Sequence, residues 1–429
     1  MKSAAQYTVI FFKEINLANG DFGLVNESTI IKSGIREVFT PHIPVDEITN
    51  FFGREDEATR LVSVINSPGQ HILLYGDRGV GKTSLAKITC KAILQKIQKG
   101  HFFEKRCDSG DTFSSIFEEP LEKSGIDLSF KEETNTHNQG GGAGINAGLA
   151  KADLSSRRET KTTNSANFKP ESPSWVANQL KSLSGIMLID EADAIKLDAD
   201  KKKIAELIKL LSDHNSSFKL VVVGIATTGE ELTAGHPSVE RCLKEVSLQR
   251  MCDDDLKKII LNGMHKLLLR PDEEVVNKIV DISAGYPHFT HLISLKCGEA
   301  AIINKNKHVT TDVLKAALNE AVKDSEGALQ RMLESTLRVL NTPQEYKLLL
   351  LTASYCNTPE FRSAELRDKL KNKFNVDVDS KALSRRLTKL TQGDEKTILY
   401  KPARGCFQFS DPRMPSFLKM ALNSDDSEI

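Results

Sequence analysis

One glycine-rich stretch, LLYGDRGVGKTSLAK at residues 73–87, constrains the fold of this chain more than any other feature. It matches G-x-x-x-x-G-K-[ST], a pattern in which successive backbone N–H groups turn inward onto phosphate oxygens. The strand-like run HILLY precedes it. The segment after it places Leu85, Ile88, Ala92, Ile93 and Ile97 on one helical face, with Gly100 as a stop. This order predicts a phosphate-binding loop in an α/β sheet rather than an ordinary glycine-rich turn.

The loop supplies contacts for both phosphate and metal. We expect the Lys82 ammonium to reach the terminal phosphates and the Thr83 hydroxyl to hold a magnesium ion. The helix that follows would offer its positive end to the same anion. The predicted ligands are therefore ATP or ADP, together with Mg²⁺. The residues predicted to surround the phosphates are Gly76, Asp77, Arg78, Gly79, Val80, Gly81, Lys82, Thr83 and Ser84.

A second apolar segment, SGIMLIDEAD, provides two carboxylates. Residues 186–189 predict a buried strand, with Asp190 and Glu191 at its carboxyl end, which is the edge of a parallel sheet where ligands bind. We expect Asp190 to bind the magnesium ion and Glu191 to polarise the water that attacks the γ-phosphate. An isolated Asp-Glu pair could equally be solvated surface, so the assignment depends on the phosphate loop upstream.

Two further groups are candidates for sensing and transition-state stabilisation. The strand-like segment FKLVVVGIATTGEEL ends in Thr227 and Thr228, whose hydroxyls would lie near a γ-phosphate, unless they cap the next helix. Arg241 and Arg250 follow this segment. A guanidinium presented to the γ-phosphate of a neighbouring subunit would stabilise the transition state. We assign Thr227 to sensing and Arg241 to catalysis; the alternative for Arg241 is an ordinary surface arginine.

Composition indicates a protein of a reduced compartment without a membrane anchor. Lys+Arg and Asp+Glu both total 58, which excludes a globally basic nucleic-acid binder but leaves room for a local basic patch. No apolar run approaches the ~20 residues of a membrane span, and the N-terminus does not read as a signal peptide. The 7 cysteines form no C-x-x-C pair, which fits a cytoplasmic protein without a zinc site.

The 429 residues exceed one ordinary core and divide into four parts. Residues 1–45 form an N-terminal extension, and 46–251 alternate strand-like and helix-like segments, which predicts an α/β domain. Residues 252–328 are helical throughout, and 329–422 form a further unit. Within the α/β domain, the polar stretch 131–173 predicts a flexible insertion that is either passive or faces a partner or a pore.

The C-terminal unit predicts three helices and a β-hairpin, which together make a winged helix. In SKALSRRLTKL the leucines face one side and the basic residues the other. Residues 362–404 contain twelve Lys or Arg and six Asp or Glu, a local balance of +6. This composition suits a major-groove helix with a wing that contacts phosphates. The predicted DNA contacts are Arg385, Arg386, Lys389, Lys401 and Arg404.

These motifs resemble the AAA+ superfamily, and within it the origin-recognition and replication-initiation branch and the related STAND signalling ATPases. GDRGVGKTS and LIDEAD resemble Walker A and Walker B. NFFGREDEATRL resembles the box that precedes the loop in both groups, which implies that Arg54 helps to hold the adenine and ribose. In initiators a helical lid follows the α/β domain and carries an arginine sensor; here that position holds His288, which we include among the nucleotide contacts.

The departures from the initiator pattern bear on the rate of hydrolysis. Gly285, Tyr286 and Pro287 resemble the G-x-P turn of STAND proteins, and a sensor asparagine after the fourth strand-like segment is missing. The histidine in place of the sensor arginine and the G-x-P-like turn favour a slow, nucleotide-gated switch over continuous hydrolysis. The missing asparagine leaves Thr227 as its stand-in. STAND proteins also use winged helices to clamp nucleotide or to contact partners, so the winged helix need not bind DNA.

The sequence therefore predicts an α/β protein, namely an AAA+ P-loop nucleotide-binding domain with a helical lid and a C-terminal winged helix. We expect ATP binding and hydrolysis to act as a conformational or oligomerisation switch on double-stranded DNA. The chain would work as a homo-oligomer or with a partner protein. The alternative is a STAND-like signalling switch, for example in bacterial defence, whose winged helix contacts protein rather than DNA.

Overall fold

A computed structural model describes most of the chain, and its residues form two compact units. One unit contains the described residues of 56–76 and 82–248, and the other contains those of 1–55, 77–81 and 249–429. Residues 1–33, most of the predicted insertion and Thr227 lie outside the described part. The described residues are 34–45, 51–97, 100–126, 169–225, 228, 237–325, 327–356, 358–392 and 397–423. None of the helices among them is long and apolar enough to cross a membrane.

The first unit, here called the α/β unit, is a parallel sheet with helices. Its helices are α1 (Glu55–Ile65), α2 (Lys82–Ile97), α3 (Phe113–Ile116), α4 (Glu118–Lys123), α5 (Pro173–Leu180) and α6 (Asp198–Asp213). Its strands are β1 (His71–Tyr75), β2 (His101–Arg106), β3 (Gly185–Asp190), β4 (Phe218–Gly224) and β5 (Leu243–Ser247). Short 3-10 turns lie at Ala192–Ala194 and Pro237–Val239.

The sheet has five strands in the order β2-β3-β4-β1-β5, and every pairing is parallel. All residues of β3 and β4 are buried, as expected for parallel strands with both faces covered. The register pairs Arg106 with Asp190 and Tyr75 with Gly224, so the carboxyl ends of four strands share one edge. The predicted α/β class is confirmed, and β3 extends one residue beyond the predicted range at each end.

The core of the α/β unit lies between the sheet and its helices. On α2 the predicted apolar face is largely correct, since Leu85, Ile88 and Ile93 are buried. Helix α6 contributes a continuous apolar side to the same core. The tryptophan of α5, Trp175, is partly buried and packs against this core.

The second unit, here called the helical unit, contains the remaining elements. Its helices are α7 (Asp253–Lys266), α8 (Glu273–Ser283), α9 (Pro287–Ile303), α10 (Thr311–Asp324), α11 (Gly327–Arg338), α12 (Pro343–Ser354), α13 (Ser363–Phe374), α14 (Ser380–Lys389) and α15 (Met414–Asn423). Its strands are β6 (Arg270–Pro271), β7 (His308–Val309), β8 (Glu360–Arg362), β9 (Leu399–Tyr400) and β10 (Cys406–Phe409).

The part of the predicted N-terminal extension that the structure describes packs closely within the helical unit. Phe39 is buried, and its ring approaches α7 so closely that a Cβ on Gly263 would lie 2.4 Å from it. Arg36 forms an ion pair with Glu299 at 3.1 Å, although the arginine remains largely exposed. The sequence pattern gave no sign of this packing, because the contacts join segments far apart in the chain.

The C-terminal region contains the three predicted helices, α12, α13 and α14, and the predicted hairpin. Strands β9 and β10 pair antiparallel, and β10 also pairs with β8, a strand that the sequence analysis missed. Asp379 caps α14 by accepting a hydrogen bond from the Ala382 N–H. Leu383 and Leu387 of α14 are buried, which leaves the opposite face of this helix to its basic residues.

Candidate functional site

The base of the phosphate loop lies in the α/β unit and requires glycine. Gly76 has φ +155, and a Cβ there would lie 2.3 Å from the backbone carbonyl of Leu248. Its own carbonyl accepts a hydrogen bond from the Lys82 ammonium at 2.9 Å. The lysine side chain therefore folds back over the loop that it follows. Ser84, also predicted as a phosphate contact, is half-buried in the first turn of α2.

Thr83 and Asp190 meet at the sheet edge, as the sequence predicts for a metal site. The Thr83 hydroxyl lies 3.1 and 3.0 Å from the two carboxylate oxygens of Asp190. Burial raises the pKa of Asp190, and the hydrogen bond from Thr83 opposes that shift. A hydroxyl and a carboxylate side by side are hard oxygen ligands of the kind that Mg²⁺ takes. The residues present therefore fit the predicted ion.

Glu191 follows directly and is held in an unusual backbone conformation. Its φ of 53 places it in the left-handed region, which turns the chain sharply after β3. Its carboxylate accepts a hydrogen bond from the Arg106 guanidinium at 2.7 Å. This hydrogen bond is the main reason that the pKa of Arg106 is raised.

Arg106 is a site residue that the sequence analysis missed. It ends β2 opposite Asp190 in the sheet register. That position becomes visible only once β2 and β3 are known to be neighbours, which no local pattern shows. Both members of the Arg106–Glu191 pair are well exposed, so solvent screens their attraction.

The tip of the phosphate loop, residues 77–81, belongs to the helical unit. Arg54 is buried and donates to the backbone carbonyls of Val80 at 3.3 Å and Gln249 at 2.6 Å. Gly79 and Gly81 both have positive φ, which lets the tip turn tightly. The resemblance implied that Arg54 helps to hold the adenine and ribose. In the structure its guanidinium instead binds backbone carbonyls of the loop and of residue 249. Contact between Arg54 and nucleotide remains a prediction.

A second set of contacts meets the loop tip at Asp77. The Tyr286 hydroxyl lies 3.0 Å from the Asp77 carboxylate and 2.9 Å from the Pro412 carbonyl. The Arg250 guanidinium lies 4.8 Å from the centroid of the Tyr286 ring and 3.6 Å from the same carboxylate. The loop tip is therefore linked to the start of α9 and to the segment before α15. The sequence analysis considered Arg250 only as a possible finger.

Two predicted residues and one that was missed lie beside Gly79. A Cβ built there would lie 3.5 Å from Arg413 and 3.9 Å from His288. His288 Nδ1 donates a hydrogen bond to the Pro41 carbonyl at 2.8 Å. Arg413 is buried and pairs with Asp411 at 2.7 Å. Arg78 of the loop is exposed, and its charge helps to lower the pKa of Asp411, after the larger contributions that involve Arg413.

The remaining sensor and finger candidates are not brought together by the described structure. The Thr228 hydroxyl accepts a hydrogen bond from the Ile225 N–H at 3.0 Å, three residues before it. Arg241 lies on the surface and pairs with Asp213 at 3.1 Å. Thr227 lies outside the described residues. The roles assigned to Thr227 and Arg241 remain predictions.

The predicted DNA contacts differ in how freely they face solvent. Arg385, Lys389 and Arg404 are exposed. Arg386 forms an ion pair with Glu345 of α12, and Lys401 donates to the Thr388 hydroxyl at 3.0 Å. The basic face of α14 and the turn after β9 are therefore partly engaged with their own neighbours.

Comparisons with known proteins match the α/β region. Residues 50–223 match a family model described as AAA ATPase domain. A search of curated protein sequences finds no match. The matched region contains the phosphate loop together with Asp190 and Glu191, so sequence and geometry identify the same site.

Matches among solved structures cover 89% to 92% of the chain. A Walker-type ATPase of Pyrococcus abyssi is 17% identical with a TM-score of 0.49, and the match covers 89% of this chain and 99% of the other. The ORC2 protein of Aeropyrum pernix, with ADPNP and ADP, is 14% identical with a TM-score of 0.48, covering 92% and 98%. The ORC1 protein of the same organism, in complex with DNA, is 15% identical with a TM-score of 0.43, covering 91% and 96%. At these values none of the three indicates a function.

The family match carries the assignment. An AAA ATPase domain binds nucleotide and hydrolyses ATP, and this chain presents the lysine, threonine and two carboxylates that such chemistry needs. The match of residues 50–223 to the AAA ATPase domain model, together with this geometry, supports ATPase activity.

Proposed function

We propose that this protein is an AAA+ ATPase that uses ATP binding and hydrolysis as a conformational or oligomerisation switch, acting on DNA. The observation that carries the ATPase proposal is the meeting of Thr83 and Asp190 at the end of β3. A hydroxyl from the phosphate loop beside a buried carboxylate is the arrangement that holds Mg²⁺ on a bound triphosphate. Mg²⁺ bound by these two residues would neutralise charge on the phosphate oxygens.

The side chains of the α/β unit have separable roles in this proposal. Lys82 exchanges its bond to the Gly76 carbonyl for the terminal phosphate oxygens, so the bound phosphate replaces an internal acceptor. Glu191 orients and polarises the attacking water and accepts its proton as the water bonds to the γ-phosphorus and the bond to ADP breaks. Arg106 competes for the Glu191 carboxylate and therefore restrains hydrolysis, which supports the expectation of slow turnover.

The other predicted site residues have proposed roles at the bound phosphates or on a neighbouring subunit. The backbone N–H groups of residues 76–81 would bind phosphate oxygens, and His288 beside Gly79 would respond to the loop conformation. Thr227 would sense the γ-phosphate. Arg241 would act on the site of a second copy in a homo-oligomer, since its side chain is exposed and pairs with Asp213 at the surface. We place this ATPase in the cytoplasm.

The order of elements in the helical unit supports the proposal of a lid followed by a winged helix. Helices α7 to α10 follow the α/β region directly, as a lid would. Helices α12 to α14 with the antiparallel sheet β8-β10-β9 have the composition of a winged helix. The exposed Arg385 and Lys389 on α14, with Arg404 after β9, suit contact with the phosphates of double-stranded DNA.

A salt series tests DNA binding. Five phosphate contacts, from Arg385, Arg386, Lys389, Lys401 and Arg404, predict that log affinity falls with log salt at a slope of about −4 to −5. Arg385→Ala with Arg386→Ala should flatten the slope by up to about two units, with the larger share from Arg385 because Arg386 also pairs with Glu345. Fluorescence anisotropy on a labelled duplex, in ATP and in ADP, measures this.

The matched control removes two exposed arginines from another helix of the same unit. Arg331→Ala with Arg338→Ala on α11 changes net charge equally and should leave the slope unchanged. If duplex DNA does not bind at low salt in either nucleotide, the DNA proposal is wrong.

The alternative, a STAND-like signalling switch whose winged helix contacts protein, has one observation in its favour. Arg386 and Lys401 are already bonded to Glu345 and Thr388 within the C-terminal region, which reduces the charge offered to DNA. ATPase assays on the purified chain, with and without duplex DNA, separate the two. Stimulation by DNA supports the first proposal, and activity indifferent to DNA supports the alternative.

A further inference from the structure

Tyr286 connects the phosphate loop to the C-terminal segment through a single hydroxyl group. This hydroxyl lies 3.0 Å from the Asp77 carboxylate and 2.9 Å from the Pro412 carbonyl. Its ring is fully buried at 0% exposure and packs edge-on against Phe289. The side chain therefore has no freedom to leave this position, and only the direction of its O–H bond can change.

A tyrosine hydroxyl carries one hydrogen, but here it faces two acceptors, a carboxylate and a backbone carbonyl. Neither acceptor can donate in return while Asp77 is ionised. The proton must therefore be shared or must favour one side at a time. Burial, above all, raises the pKa of Tyr286 beyond the physiological range, so the proton stays on the hydroxyl.

The competing acceptors belong to functionally different segments. Asp77 lies in the loop whose backbone would bind phosphate, and Arg250 lies 3.6 Å from its carboxylate. Pro412 lies between β10 and α15, directly after the hairpin and next to Arg413, which packs beside Gly79. A shift of the loop tip of about an ångström would weaken the bond to Asp77, since hydrogen bonds fail steeply beyond ~3.5 Å. The hydroxyl would then donate fully to Pro412.

We propose that Tyr286 is a positioning residue that couples the phosphate-loop conformation to the C-terminal segment by redirecting the hydrogen bond of its hydroxyl between the Asp77 carboxylate and the Pro412 carbonyl. This proposal rests on the proposed ATP-dependent function, and it names the route by which nucleotide state reaches the C-terminal region. The ligand that moves the loop is the nucleoside triphosphate or diphosphate itself.

The test is hydrogen–deuterium exchange of the full chain without nucleotide, with ADP and with a non-hydrolysable ATP analogue. In the wild type, exchange of peptides covering 406–423 should differ between the two nucleotides. Tyr286→Phe keeps the ring and removes only the hydroxyl, so that difference should disappear. Nucleotide affinity should stay within about threefold, because Tyr286 acts through Asp77 rather than on the phosphates.

Two more variants keep the outcome interpretable. Tyr346→Phe makes the same chemical change at a buried tyrosine of α12 and should preserve the nucleotide-dependent difference. Asp77→Ala removes the loop acceptor and should abolish the difference even if Tyr286→Phe fails to fold. A general loss of structure would instead raise exchange throughout the helical unit in every nucleotide state.

The proposal is overturned if Tyr286→Phe and Asp77→Ala retain the wild-type difference. It is equally overturned if the wild type binds nucleotide but shows no difference at 406–423. In both cases the affinity measured in the same samples would leave the proposed ATPase standing. Absence of nucleotide binding by the wild type would contradict the ATPase function as well.

Discussion

The two parts of the phosphate loop are held by different kinds of contact. In the α/β unit, Thr83 meets Asp190 because parallel strands end at a common edge, which is a property of the fold itself. In the helical unit, Asp77 is held by Tyr286, whose hydroxyl also faces Pro412, and these residues come from widely separated parts of the chain. The proposed chemistry thus rests on a general architecture, whereas the proposed coupling rests on contacts particular to this sequence.

If the α/β unit carries the chemistry, Glu191→Gln should have the largest effect. The amide keeps the shape of the side chain but cannot accept the proton of the attacking water. Turnover should fall by about 10²–10⁴, while affinity for ATP is unchanged. Phosphate release and titration with a fluorescent ATP analogue measure the two quantities.

Asp193→Asn is the matched control for Glu191→Gln, since Asp193 is an exposed carboxylate in the turn that follows. It should leave turnover unchanged. If Glu191→Gln keeps turnover within about threefold of the wild type, a loss well under 1 kcal/mol, Glu191 is not the base.

Binding should depend on the base of the loop in the same unit. Lys82→Ala removes the ammonium expected on the β- and γ-phosphates and should weaken ATP binding about hundredfold, which is roughly 2.7 kcal/mol. Lys87→Ala removes a lysine of the same helix that pairs with Glu104 instead, and should bind normally. Equal affinities for the two variants would remove the phosphate-loop assignment.

Each unit contains a buried histidine that must stay neutral, so we expect both units to lose stability in acid. His71 in the α/β unit accepts the Leu220 N–H, and burial with a smaller effect of Lys219 lowers its pKa to about 3. His291 in the helical unit accepts the Thr40 N–H, and burial with a smaller effect of His288 lowers its pKa to about 4. Each histidine must remain neutral to keep its bond.

Because the pKa of each histidine is lowered in the folded protein, stability should fall as the pH falls. Above about pH 6.5 each histidine is neutral in both the folded and the unfolded protein, and the free energy of unfolding has its full value. As the pH falls towards 5, only the unfolded protein takes up the proton. Protonation of each histidine in the unfolded protein should therefore lower the free energy of unfolding by about 2 kcal/mol at pH 5. Urea unfolding at pH 7 and pH 5 measures it. His71→Asn and His291→Asn retain an acceptor and should lessen the pH dependence; an unchanged dependence would contradict the assignment.

The smallest effect is expected at Arg106. Its pair with Glu191 is exposed, so Arg106→Ala should change the free energy of unfolding by less than about 1 kcal/mol. Release of the carboxylate should raise turnover by up to about fivefold, the equivalent of that energy. Lys203→Ala breaks another exposed ion pair, with Glu171, and serves as the control. A fall in turnover for Arg106→Ala would show that the arginine assists the reaction.

Local signals explain what the sequence could predict. Lys82, Thr83 and Asp190 follow from a strand, a glycine-rich loop and the end of a second strand, and each can be identified within a short window. Helices α2 and α14 were predictable for the same reason, because their apolar residues recur at helical spacing.

The missed features all depend on pairings between distant segments. Strand β8 is three residues long and is defined only by its partner β10. The packing of Phe39 is evident only from its contact with Gly263. The link made by Tyr286 is likewise evident only from its contacts with Asp77 and Pro412. A residue pattern records the periodicity of one element, but it does not record which other element will lie beside it.

The position of Trp175 has an optical consequence. It is the only tryptophan among the 429 residues, and it packs against the core of the α/β unit. Indole emission should therefore follow the unfolding of that unit alone, whereas far-ultraviolet circular dichroism sums the helices of both. Melting curves that fail to coincide would reveal independent transitions. The protein thus carries its own fluorescent label on the unit proposed to perform hydrolysis.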